Sequence, residues 1–179
     1  VINDLRHAAG RTGLGAVMGS KRLKAVAARG KTSIPVGDQE ALQTLAKWMR
    51  DHWKEKSWGM HDLGTPGGIM DLQEAGQIPT RNFQDGQFEG AGETSGEALR
   101  DTLLIDREGC FACPIRCKRV VKVDEPGMQV NPIYGGPEYE TIGAFGSNCG
   151  VADLKAVSKA HELCNAYSLD TISTGMLVS

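Results

Sequence analysis

Cys110-Phe111-Ala112-Cys113-Pro114-Ile115-Arg116-Cys117 puts three thiols within eight residues, at gaps of two and three. Thiolates are soft ligands that select iron–sulfur clusters or zinc. This spacing lets one short loop wrap a corner of a cubane. Structural zinc more often uses two Cys-x-x-Cys knuckles, and only one is present. The set is one ligand short, so a fourth thiolate has to come from Cys149, Cys164 or a part of the protein outside this chain. Gly109 frees the backbone where the loop begins, and Pro114 stiffens its turn. Arg116, Lys118 and Arg119 place positive charge beside an anionic cluster, which raises its reduction potential.

Outward from this loop the pattern is mostly helical. Asp38 can cap a helix running to about Lys56, with Leu42, Leu45 and Met49 on one side and Trp48 and Trp53 flanking it. Residues 97–105 read as a short helix leading into the cysteines, and residues 120–123 as a strand after them. Helix resumes at Glu138, breaks around residues 146–150 and returns from Asp153 to Tyr167. There Leu154, Val157, His161 and Cys164 share one face, so Cys164 is expected in the core and His161 as a core histidine with partners. Cys149, in a Gly/Asn/Ser setting, stays open as a ligand. Residues 59–96 read as largely irregular, punctuated by Gly64-Thr-Pro-Gly-Gly68 and Gly76-Gln-Ile-Pro-Thr-Arg-Asn82. A loop region this long implies a cofactor, a partner or tight packing.

The 179 residues suffice for one domain with a real core, and 40% hydrophobic with 23% charged residues is a globular composition. Twenty basic against 22 acidic side chains give a net charge of -2, with no sign of a nucleic-acid or membrane partner. No apolar run approaches the ~18 residues of a spanning helix, and no signal peptide is visible. Five cysteines, three of them clustered, do not form a secreted disulfide framework, and a reducing cytoplasm fits better. The chain opens on Val1 and closes on an apolar Gly175-Met-Leu-Val-Ser179, which reads as a piece of a longer protein.

Three further segments carry candidate chemistry. Arg11-Thr-Gly-Leu-Gly-Ala-Val-Met-Gly-Ser-Lys21 is expected to be a glycine-rich loop, with Leu23 to Ala28 as a strand ended by Gly30. It has neither the Walker spacing nor the strand–loop–helix order of a dinucleotide fingerprint. Backbone N–H groups around Gly13 and Gly15 can still face an anion, with Arg11 or Lys21 nearby. Gly135-Gly-Pro-Glu138-Tyr-Glu140-Thr141 places two carboxylates in the first turn of a helix. Two apart, they point in different directions, so one faces a buried site and can hold a proton near neutral pH. Compensation of helix N-terminal charge is the alternative. Asn165-Ala-Tyr-Ser-Leu-Asp170 can hold a polar heterocycle, or it can be a helix end with Asp170 capping the next helix.

Taken together, these segments resemble the aldehyde:ferredoxin oxidoreductase family of tungsten (occasionally molybdenum) pterin enzymes. The resemblance rests on residues 11–21 with Leu23-Lys-Ala25, on Ile78-Pro-Thr-Arg-Asn-Phe83, on the cysteine trio, and on Gly136-Pro-Glu-Tyr-Glu-Thr141 through Gly146-Ser-Asn-Cys149 to Leu169-Asp-Thr-Ile-Ser-Thr-Gly175. It covers nearly the whole chain in family order. The implied fold is mainly α: the helical middle domain of such an enzyme, first part over 31–179, preceded at 1–30 by the tail of a β-rich N-terminal pterin-binding domain.

The resemblance also implies roles. Cys110, Cys113 and Cys117 would hold a [4Fe–4S] cluster whose fourth cysteine lies downstream, which weakens the case for Cys149. Arg11, Thr12, Gly13, Gly15 and Lys21 would close against the phosphates of a tungsten or molybdenum bis-pterin, the Thr12 carbonyl helping to hold a bridging Mg2+. Glu140 would stand beside the metal as the catalytic carboxylate. Asn165, Leu169 and Asp170 match a pterin-binding signature, from which this chain departs at Asn165 and Ser168. Serine at a glycine position implies that no obligatory left-handed backbone is needed there, or that local geometry differs. Where relatives bind an intersubunit iron through Glu-x-x-His, this chain has Lys159 and Glu162, so no such iron is expected. The implied activity is oxidation of an aldehyde to a carboxylic acid, with electrons leaving through the cluster to ferredoxin or an electron-transfer subunit. A homo-oligomer or heteromeric complex is implied as well. The rival readings are a tungsten benzoyl-coenzyme A reductase subunit, an iron–sulfur electron-transfer module without catalytic metal, and a zinc-stapled interaction domain.

Overall fold

The N-terminal segment begins with two strands of two residues each, β1 (Ile2–Asn3) and β2 (His7–Ala8), paired antiparallel. The structure, a computed structural model, describes residues 1–179. A single 3-10 turn at Arg11–Gly13 leads directly into α1 (Leu14–Ser20). The expected glycine-rich loop is therefore a turn and a helix. The strand expected at Leu23–Ala28 does not form, and residues 23–31 take no regular structure. Its alternating pattern would suit a sheet, but a strand needs a neighbouring edge for its N–H and C=O groups, and none of this chain lies beside it.

Asp38 starts α2 (Gln39–Leu63) by accepting the Ala41 amide at 2.9 Å. The helix runs seven residues past the expected Lys56, through a non-helical Ser57. Leu42 and Leu45 stay exposed, so this half of α2 stands off the core. Gly64 ends it with φ +71, and a Cβ there would meet the Cys117 carbonyl at 2.8 Å and Arg119 Nε at 2.9 Å. A 3-10 turn at Thr65–Gly68 and α3 (Ile69–Glu74) order the front of the region expected to be irregular. In Ile78–Phe83 the residues Arg81, Asn82 and Phe83 all have positive φ. The amides of Arg81 and Asn82 donate to the Ser147 and Asn148 carbonyls, each at 3.0 Å. Ser95 caps α4 (Gly96–Thr102).

β3 (Leu104–Glu108) and β4 (Lys118–Val121) then form an antiparallel hairpin whose last pair is Glu108 with Lys118. All three clustered cysteines sit in its loop. A second hairpin pairs β5 (Val123–Glu125) with β6 (Met128–Val130). Three helices close the chain: α5 (Tyr139–Phe145), α6 (Leu154–Ala166) and α7 (Thr171–Val178). They pack on one another, α5 most closely on α7. The core runs from Ile69, Phe88 and Leu99 through Val121 to Ile142 and Val157. Burial of each such side chain stabilises the fold by about 1.5–3 kcal/mol. The body is mostly helical behind a small β start, as expected. No helix is long and apolar enough to cross a membrane.

Candidate functional site

The β3–β4 hairpin fixes the two ends of the cysteine loop, and side chains from α2 hold its middle. The Cys113 amide donates to the Cys110 carbonyl at 3.0 Å, and Ala112 and Arg116 take positive φ, so the loop curls tightly. His61 Nδ1 meets the Ile115 carbonyl at 2.6 Å. Arg119, 1% exposed, lies beneath. Its guanidinium donates to four carbonyls: Cys117 at 3.1 Å, Arg116 at 3.2 Å, His61 at 2.9 Å and Asp62 at 2.7 Å. The last two belong to the final turn of α2, where carbonyls lack helical partners and the helix dipole is negative. Asp62 in turn receives Arg100 at 2.8 Å and Arg107 at 2.9 Å. Burial, reinforced by the Arg107 charge, pulls the Arg119 pKa down from its ordinary value.

Cys110 is exposed, while Cys113 and Cys117 are half-buried. No three His, Cys, Asp or Glu side chains converge on a common point. A single ion needs that convergence, whereas a cubane takes each thiolate at a separate iron. Three free thiols on one curled loop fit the donor chemistry of an iron–sulfur cluster. Burial raises the Cys117 thiol's pKa, and the nearby Glu138 charge adds to it.

One wall of a cleft of about 330 Å³ is made by Cys117. Its other walls come from three places: the β1–β2 hairpin and its exit, the start of α5, and the α6–α7 corner. Arg6 pairs with Glu108 at 2.7 Å, and Lys118 Nζ lies 2.8 Å from His7 Nδ1, which docks the N-terminal hairpin onto the cluster hairpin. Arg11 thereby reaches the cleft beside Arg6 and Lys118. At the corner Ser168 adopts φ +58; its amide donates to the Asn165 carbonyl at 3.3 Å and the Leu169 amide to that of Cys164 at 2.7 Å. This is a Schellman helix end. The left-handed backbone is thus present at Ser168, contrary to the reading that serine made it unnecessary.

The cleft gathers Arg11, Cys117, Glu140, Asn165, Leu169 and Asp170 from the sequence-derived set. Thr12, Gly13, Gly15 and Lys21 lie outside its lining on the 3-10 turn and α1, exposed, and Cys110 and Cys113 also lie outside it. Asp170 fulfils the capping alternative: Oδ2 accepts the Ser173 amide at 2.8 Å. Oδ1 faces Gly10, where a Cβ would collide with it. Asn165 is buried, with Nδ2 donating to the His161 carbonyl at 3.1 Å. Cys164 is buried as expected, and Cys149 spends its thiol on the Ala144 carbonyl at 3.2 Å, between α5 and α7. Lys159 pairs with Glu162 at 2.9 Å and donates to the Gln129 carbonyl, fastening β6 to α6.

Three participants were missed or undervalued: Glu138, Thr65 and His161. Glu140 is exposed, whereas Glu138 also lines the cleft and is half-buried. Thr65 Oγ1 donates to Glu138 Oε2 at 2.5 Å and accepts from the Tyr139 amide at 2.9 Å. Burial raises the Glu138 pKa, against the opposing pull of Thr65 and Arg119. The Pro-Glu start of α5 signalled this carboxylate, but nothing local signalled Thr65, 73 residues away. His161 lines the cleft too, and its Nδ1 is buried without a partner. The lining sets four cations, Arg6, Arg11, Lys118 and Arg119, against four carboxylates, Glu108, Glu138, Glu140 and Asp170, and with the orphaned ring nitrogen and the buried amide it fits a polar heterocycle.

Comparison with known proteins gives matches over nearly the whole chain. A family model for aldehyde ferredoxin oxidoreductase, domains 2 and 3, matches residues 40–179, and one for the N-terminal domain matches residues 1–30. A tungsten-containing aldehyde ferredoxin oxidoreductase of Thermococcus kodakarensis is 42% identical over 98% of this chain and 29% of its own length. The protein of that name from Pyrococcus furiosus is 38% identical over the same shares. An aliphatic sulfonate oxidoreductase, WOR-like subunit, from Pyrococcus furiosus is 30% identical over 99% of this chain and 28% of its own length. The chain thus spans less than a third of the curated relatives it matches.

Proposed function

This chain belongs to the aldehyde ferredoxin oxidoreductase family, and we propose that it is the cluster-bearing part of an enzyme that oxidises an aldehyde to a carboxylic acid on a tungsten (or molybdenum) bis-pterin. The observation that carries this reading is the single cleft in which Cys117 of the cysteine loop meets Glu140 and the Asn165–Asp170 corner. A simple electron carrier has no use for that corner or for the carboxylates facing it. Residues 1–30 are taken as the end of the N-terminal pterin-binding domain, and 31–179 as the start of the helical one.

When bound, the metal–pterin group supplies the two-electron oxidation and the [4Fe–4S] cluster relays the electrons singly to ferredoxin or another acceptor. The overall change is aldehyde plus water to carboxylic acid, two protons and two electrons. Cys110, Cys113 and Cys117 would hold the cluster. Arg11, with the Thr12–Gly15 turn and Lys21 behind it, would meet the phosphates, and the Thr12 carbonyl would serve a bridging Mg2+. Asn165, Leu169 and Asp170 would seat the heterocycle. Glu140 would take a proton from the attacking water. Glu138, more buried and held by Thr65, is placed to keep a proton near the cluster end of the cleft. A cytoplasmic location follows from cluster and thiol chemistry.

The test is the full-length protein produced with tungstate and with molybdate. The reading expects one of the two metals with pterin and four irons, and aldehyde-dependent reduction of a viologen dye. Replacing Glu140 by glutamine is expected to lower kcat by about 10²–10⁴-fold. Zinc on the thiols, or reduction of benzoyl-coenzyme A in place of aldehyde oxidation, would overturn it. The 30% relationship to a sulfonate oxidoreductase subunit makes an aliphatic sulfonate the second substrate to assay.

A further inference from the structure

We propose that Arg119 is the positioning residue of the cluster loop: its buried guanidinium sets the loop's shape and, as a charge tied up in no salt bridge, holds the cluster's reduction potential up. The inference rests on the reading that Cys110, Cys113 and Cys117 hold a cluster.

Three cations follow or interrupt the cysteines, and the structure separates them. Arg116 is exposed and reaches Asp106 at 3.4 Å. Lys118 is occupied with His7. Arg119 alone of the three is fully buried. All four of its hydrogen bonds go to backbone carbonyls, two from the loop and two from the end of α2. A guanidinium offers five N–H groups in a rigid plane, so these four carbonyls are held in one fixed relation. A lysine ammonium is a point charge that can satisfy some of them but cannot impose the plane.

The charge is also available. The carboxylate nearest the α2 end, Asp62, is engaged by Arg100 and Arg107. Glu138 shares the cleft with Arg119 but forms no salt bridge with it, so the guanidinium is balanced chiefly by the four carbonyl dipoles, among them the negative end of a 25-residue helix. At low local dielectric such a cation acts strongly on an anion held at Cys117. Reduction of the cluster adds one negative charge from an external donor, with no bond made or broken. A fixed cation stabilises the reduced form more than the oxidised one, so the potential is higher with it than without it.

The experiment uses the full-length holoenzyme with Arg119→Met, Arg119→Lys and Cys113→Ala. Midpoint potential is read by paramagnetic resonance during a mediated titration, and cluster retention by the rate of iron loss to a chelator. Arg119→Met is expected to shift the midpoint to more negative values and to lose iron several-fold faster. Arg119→Lys is expected to keep the midpoint near that of the unaltered enzyme while still losing iron faster. An unchanged midpoint and an unchanged rate in Arg119→Met overturn the inference. If that variant does not fold, an unchanged rate of iron loss in Arg119→Lys overturns it. Loss of the cluster signal in Cys113→Ala supports the underlying assignment; its persistence overturns the assignment itself, whatever the Arg119 variants do.

Discussion

Gly10 sits so close to Asp170 that a Cβ on it would overlap carboxylate oxygen Oδ1, while the other oxygen, Oδ2, caps α7 at the Ser173 amide. One carboxylate thus ties the exit of the N-terminal hairpin to the start of the last helix. Gly10→Ala should destabilise the full-length protein by about 1–3 kcal/mol through overpacking. Asp170→Ala should cost about 1 kcal/mol through the lost cap. In the double variant the collision partner is gone, so its loss should be smaller than the sum. Urea unfolding of the four proteins checks this; additivity within about 0.5 kcal/mol would show that the two residues do not meet.

Ser168 holds the left-handed corner that glycine usually occupies at a Schellman end. A Cβ in that region costs about 1–2 kcal/mol. Ser168→Gly should therefore stabilise the protein, by about 1 kcal/mol once glycine's greater freedom in the unfolded chain is subtracted. A raised thermal midpoint with unaltered cofactor content is the expected result. A lowered midpoint would mean that the serine hydroxyl contributes more than its backbone costs.

Legibility followed the range of the forces involved. The cap at Asp38 and the apolar face of Leu154, Val157 and Cys164 are local, and the helices they mark are present. The cysteine trio identified its loop because ligand spacing is also local. The segment 10–28 was misread because alternation at Leu23–Ala28 measures suitability for a sheet and says nothing of whether an edge is available. Likewise α2 outran its expected end because its C-terminal carbonyls are claimed by Arg107 and Arg119, which follow it by more than 40 residues. The cleft was legible as a set of residue types. Its geometry was not, since Arg6–Glu108, His7–Lys118 and Thr65–Glu138 each join distant segments.

Glu138 gives a pH signature of one sign. Burial raises its pKa in the folded protein above the ordinary glutamate value. The folded state then holds the proton more tightly than the unfolded one. The resulting stability is fully present below the ordinary glutamate range and is lost as the pH rises through the folded value. Glu138→Gln keeps a partner for Thr65 and removes the ionisation. The variant should gain on the unaltered protein as pH rises from the acid range toward neutrality. Thermal midpoints of both proteins across that range are the measurement, and a constant gap between them would exclude the effect.

His161 predicts the opposite slope. Its Nε2 lies 3.0 Å from both the Tyr134 carbonyl, which accepts, and Asn165 Nδ2, which donates. The protonated ring carries a hydrogen on both nitrogens, and the one on Nδ1 is buried with no acceptor. Burial accordingly lowers its pKa below the ordinary histidine value of 6.5. The unfolded chain takes up a proton below pH 6.5 that the folded chain refuses. The stability contributed by the neutral ring is present above that value and is lost as the pH falls toward the folded one, by at most about 1.4 kcal/mol per pH unit. His161→Gln removes the titration while keeping a donor for Tyr134. Between pH 7.5 and 5.5, roughly one unit either side of the ordinary histidine range, the unaltered protein should lose thermal stability more steeply than this variant. Parallel curves would mean that His161 is as easily protonated folded as unfolded, and that the floor of the cleft admits a charge.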